Sequence, residues 1–148
     1  MSGRFIKSAY SFIPYAAFVG AACNLGFWSL YYSNVFYAGN ETVRRFEASF
    51  PISDILFFAA LVLAGIGLKK RKLFGVFFLL ISSSFGLYLG PVDILFYWKH
   101  KAYFPLTVSS IYEIGLNLFC IIGGLMGMWF AWIFLKNLLA GSSSATEK

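Results

Sequence analysis

The chain has 148 residues, 59% hydrophobic and 12% charged, whereas a soluble domain carries about 25% charged residues. Its length allows one domain, and its composition excludes an ordinary water-soluble globule. The net charge of +6 comes from Lys and Arg at the ends of apolar runs rather than along one face. That pattern reads as membrane topology and not as a nucleic-acid footprint.

The first predicted span runs from about Tyr10 to Phe36. Arg4 and Lys7 precede it as they would a signal peptide. Gly20-Ala21-Ala22-Cys23 resembles a lipoprotein cleavage box, but the sequence from Asn24 to Tyr32 continues as membrane segment, so a retained helix is expected. Ala16, Gly20 and Asn24 fall on one stripe, and Asn24 in mid-span needs a polar partner. Asn40-Glu41-Thr42 in the following loop matches a glycosylation sequon, which matters only in a secretory-pathway host.

The second span carries the most informative residue. Between Asp54 and Lys69 lie 14 uncharged residues, about 21 Å of helix at ~1.5 Å per residue. A hydrocarbon core ~30 Å thick needs about 20 residues. The helix is therefore expected to start upstream, near Ala48, with the Asp54 carboxylate inside the bilayer boundary. An ionisable group at that depth is costly and points to function. Lys69 to Lys72 form a tight basic turn.

The third span runs from about Leu73 to Trp98 and carries Ser82, Gly86 and Gly90 at four-residue spacing. Pro91 is expected to kink the helix or break it after Gly90, freeing carbonyls beside Asp93. The fourth span, about Val108 to Leu135, contains Gly123-x-x-x-Gly127, and a polar tail occupies 141–148. Short connections make consecutive helices antiparallel neighbours, so the predicted architecture is an all-α, up-down four-helix membrane bundle. The small-residue stripes favour close packing within it. Gly86, Gly90, Gly123 and Gly127 are also the positions through which a second copy or a partner membrane subunit would pack. With the N-terminus inside, eight Lys and Arg fall on the inner side and four on the outer. Both termini are thus expected in the cytoplasm of a multi-pass cell-membrane protein.

On this topology Asp54, Asp93 and Glu113 all lie toward the outer side. Asp93 shares a helical face with Gly90 and Gly86, and Glu113 with Asn117, Cys120 and Gly124. Pro51-Ile-Ser-Asp54-Ile-Leu-Phe57 is echoed by Pro91-Val-Asp93-Ile-Leu-Phe96. Asp54, Asp93, Glu113, Asn24, Asn117 and Tyr97 are therefore the candidate ligand-binding residues. Two structural roles compete for the acids: ion pairs with Arg44, Arg45, Lys99 and Lys101, and capping of helix N-termini. Tyr31, Tyr32, Phe36, Tyr37, Tyr97, Trp98, Tyr103 and Phe104 map to the outer helix ends as an aromatic belt, a few of them able to line a pocket. Cys23 and Cys120 read as buried small hydrophobes. Neither a metal-ligand spacing, a cofactor motif nor a nucleophile elbow is present.

Phe50-Pro51-x-x-Asp54, the apolar helix after it, the Lys/Arg turn and the Gly-rich third helix resemble the YvaD-like group of small four-helix bacterial membrane proteins. The resemblance covers the middle third of the chain, and that group assigns no functional residue. Three classes of function remain: binding or transport of a small cationic or lipid-like ligand, an accessory subunit of a larger membrane complex, and a lipid-modifying enzyme using the carboxylates as acid and base. The first is the expected one.

Overall fold

The computed structural model describes residues 3–35 and 40–146, with side chains described for 8–35 and 40–137. Among the described residues there are five helices and no strand: α1 (Gly3–Tyr32), α2 (Glu41–Glu47), α3 (Pro51–Lys69), α4 (Leu73–Lys99) and α5 (Val108–Thr146). All but α2 are long and apolar enough to cross a membrane. Their exposed faces are studded with large apolar side chains such as Tyr15, Ile55, Phe77, Leu95 and Leu125, as expected where the solvent is lipid.

Three boundaries differ from the sequence expectation. Helix α1 ends at Tyr32, before the predicted end at Phe36; Phe36 and Tyr37 lie outside the described residues. The second span starts at Pro51 rather than Ala48. Ala48 is already the C-cap of α2, and Phe50 caps α3 with Pro51 in its first position, where a missing N–H costs nothing. The backbone of α5 continues helically into 141–146, the stretch read from composition as a polar tail.

Of the kink or break expected at Pro91, the break does not occur: α4 runs unbroken through it. The proline removes one helical hydrogen bond, but tertiary contacts hold both sides. A Cβ at Gly86 would stand 2.7 Å from the Cys120 carbonyl oxygen, and one at Gly90 2.9 Å from that of Asn117, so α5 packs directly on the α4 backbone before Pro91. Tyr97, 1% exposed, anchors the helix after it.

The spans pack in chain order, α1 on α3, α3 on α4 and α4 on α5, while α1 and α5 meet only at intervals. At the α3–α4 turn the two backbones touch: a Cβ on Gly67 would lie 2.4 Å from the Gly75 Cα, which only glycine avoids. Gly86, Gly90 and Gly127 sit in the α4–α5 seam of this same chain, whereas a Cβ on Gly123 would meet nothing within 4 Å. Near this turn, Tyr10 of α1 stacks on Phe134 of α5 at 4.1 Å and closes the bundle. At the other end the short helix α2, capped by the Asn40 side chain accepting from the Val43 N–H at 3.2 Å, drops Val43 against Tyr97 and Tyr103.

Candidate functional site

That α2 end holds the acids. Glu47 from α2, Asp54 from α3, Asp93 from α4 and Glu113 from α5 line one cavity of about 40 Å³, with Asn24 of α1 and Asn117 of α5 in the same wall. The space accommodates a water-sized group or an ammonium. Glu47, Asp54 and Glu113 are buried, at 4%, 9% and 4% exposure. The four carboxyl groups stand close enough to repel one another.

Each acid is placed by its helix. Asp54 is in the first turn of α3, yet it does not cap it: its carboxylate accepts the Trp28 indole N–H at 2.9 Å. Its burial therefore comes from α1 packing on α3, not from a start at Ala48. Asp93 stands one turn beyond Gly90, where α4 presses closest to α5, and it has no hydrogen bond or ion pair among the described residues. Glu113 lies one turn before Asn117, which is 1% exposed and donates to the Tyr103 hydroxyl at 3.2 Å.

Asp54 and Asp93 form none of the expected ion pairs among the described residues. Among the described residues the one ion pair is Arg45 with Glu41 on the exposed face of α2, at 2.9 Å. Arg44 has its carbonyl engaged by the Tyr31 hydroxyl. No Lys or Arg stands among the residues that line the cavity, and capping fails for Asp54 as well.

Glu47 is the cavity-lining acid that the sequence does not single out. A second span starting near Ala48 leaves it in the preceding loop, whereas Val43 and Glu47 are the buried residues of α2, one turn apart. The Asn40 cap and the apolar Val43 and Phe46 are the signal that could have found it. Tyr97, predicted as a ligand contact, stands behind Glu47 and donates its hydroxyl to that carboxylate. Burial pushes the Glu47 carboxyl up to about 7, against the pull of the Tyr97 hydrogen bond and with help from nearby Asp54. Burial likewise raises the pKa of the Tyr103 phenol. The predicted aromatic belt divides: Tyr32, Trp98 and Phe104 are exposed, while Tyr31, Tyr97 and Tyr103 are buried behind the cavity.

No family model, curated protein or solved structure matches this chain. The site must therefore be read from its chemistry. Four acids in one low-dielectric space cannot all be ionised without a counter-charge, and among the described residues no Lys or Arg lines it. No three carboxylate, imidazole or thiol groups among the described residues converge tightly enough to hold a metal ion. The acids instead surround the space from four helices, a geometry suited to a cation with several N–H donors pointing different ways.

A second, larger cavity of about 320 Å³ adjoins the first and shares Phe57, Phe119 and Cys120 with it. It is apolar, lies in mid-bundle and is flanked by Phe12 and Ala16 of α1 and by Ile122, Gly123 and Met126 of α5. Both cysteines are free and half-buried.

Proposed function

We propose that this is a multi-pass cell-membrane protein that binds or transports a small cationic or lipid-like ligand, received in the carboxylate cavity at the outward end of the bundle. One observation carries the reading: four helices each deliver a carboxyl group to one space, and no Lys or Arg stands among the residues that line it. Acids held only as helix caps or ion pairs would not converge from four helices, and Asp54 neither caps α3 nor forms an ion pair among the described residues. Lys69 to Lys72 and Lys136 lie at the opposite end, which supports cytoplasmic termini and an outward cavity. Asp93, with no partner of its own among the described residues, is the anchor for the incoming ammonium. Glu113 and Asp54 flank it, and Glu47 lies under the cover that α2 provides.

The test is calorimetric titration of the purified protein in neutral-lipid nanodiscs with ethylamine, for the wild type and for Asp93→Asn and Glu113→Gln. Saturable binding that both substitutions weaken, in variants that remain helical and inserted, is the expected result. Absence of saturable ethylamine binding by the wild type would sink the proposal.

A further inference from the structure

We infer that the ligand of the carboxylate cavity is an amphiphile, with a cationic head among the acids and a hydrocarbon chain in the apolar slot, entering sideways from the bilayer between α1 and α5. This rests on the cation-binding reading above and adds its substrate class and route.

The slot is formed by the way α1 and α5 fail to meet. They touch at the α3–α4 end, where Tyr10 stacks on Phe134. They approach again toward the acids, where the Tyr112 hydroxyl donates to the Cys23 carbonyl at 3.4 Å and Phe119 stands 3.4 Å from where a Gly20 Cβ would be. Between these contacts the small residues Ala16 and Gly123 line the gap, and a Cβ on Gly123 would meet nothing within 4 Å. The resulting 320 Å³ lies within the range of small-molecule sites, about 300–1,000 Å³. Phe12, Ile122 and Met126 at its mouth are partly to largely exposed on the lipid-facing surface.

Charge identifies the occupant. A neutral lipid tail could enter the slot, but lipid is as apolar as its lining, so the transfer alone gains little. What distinguishes one membrane-dissolved molecule from another is the acid cluster beyond Phe119, and it selects a cationic head. Phe119 is 43% exposed and stands in both walls, so a chain in the slot passes beside it to reach Asp93 and Glu113. Ser83 supplies an independent mark of a guest. Its side chain lies in the slot wall at 4% exposure, directed at Gly127, and has no hydrogen bond among the described residues. An oxygen along the chain of the guest would be its acceptor.

The experiment uses a dodecylamine carrying a mid-chain photoreactive diazirine, with the dodecanol analogue as control, on the full chain in neutral-lipid nanodiscs. Labelled residues are mapped by peptide mass spectrometry. The amine is expected to label the slot, around Phe12, Ile122 and Met126, saturably and about tenfold more tightly than the alcohol, the weight of one charged hydrogen bond. Gly123→Leu fills the slot from a position where a Cβ meets nothing, and Ala16→Leu fills it from the opposite wall. Both are expected to abolish slot labelling while ethylamine still binds. Labelling that survives both substitutions, falls evenly over lipid-facing residues, or is equal for amine and alcohol would overturn the amphiphile assignment and leave the cavity reading intact. Loss of ethylamine binding by the wild type would remove both.

Discussion

Glu47 offers the sharpest quantitative test, because it lies outside the spans and its carboxyl is held at about 7 rather than the ordinary 4.5. Such a displacement corresponds to about 3 kcal/mol between the two protonation states. The sign follows from linkage. Between about pH 4.5 and 7 the docked state holds a proton that the undocked state releases, so docking of α2 weakens as pH rises through that window and levels off above it. Glu47→Gln keeps an oxygen for the Tyr97 hydroxyl but carries no charge. The variant should match the wild type near pH 4.5 and exceed it by about 3 kcal/mol above pH 8, with a flat profile between. Glu47→Ala should lose about 1–3 kcal/mol at every pH, because it strands a buried phenol. Amide hydrogen exchange of α2 in nanodiscs, corrected for intrinsic exchange, reads the docking free energy directly. Bound ethylamine should displace the proton and flatten the wild-type profile. A wild-type profile without slope in that window, or a Gln variant as weak as Ala at high pH, would refute the assignment of a buried, proton-holding Glu47.

Other outcomes follow from single contacts. Trp28→Phe removes the indole N–H that Asp54 accepts and should cost roughly 1.5–3 kcal/mol, read as a loss in thermal stability that Asp54→Asn partly rescues. Gly67→Ala should be severely destabilising, on the order of 3 kcal/mol, because its Cβ would meet the Gly75 backbone at 2.4 Å; Gly123→Ala, opening into free space, should leave the melting temperature unchanged. Asn117→Leu deprives Tyr103 of its donor and should loosen the α4–α5 loop, seen as faster exchange across residues 100–107 without loss of the spans.

The spans were legible because hydropathy and length are local quantities. Fourteen apolar residues after Asp54 and a basic turn after Leu68 need no neighbour to be recognised. Direction around a helix was legible too: Asp93 with Gly90, and Glu113 with Asn117, do face the same interior. Depth was less so, since Asp54 is buried by Trp28 reaching across from α1 rather than by an upstream helix start. Pro91 shows the same limit. Its local rule allows a kink or a break, and close packing of α5 on Gly86 and Gly90 holds the helix continuous.

Composition and period by themselves established four helices long and apolar enough to cross a membrane, their order and the shared faces of Asp93 with Gly90 and of Glu113 with Asn117. Only the tertiary structure decided that a fourth acid, Glu47 on a short capping helix, joins Asp54, Asp93 and Glu113, that no Lys or Arg of the described residues lines the cavity with it, and that α1 and α5 part to leave an apolar slot beside it. Burying apolar surface is a property each segment carries along its own length. Counter-charge and empty space are properties of what stands opposite, and they exist only once the helices have met.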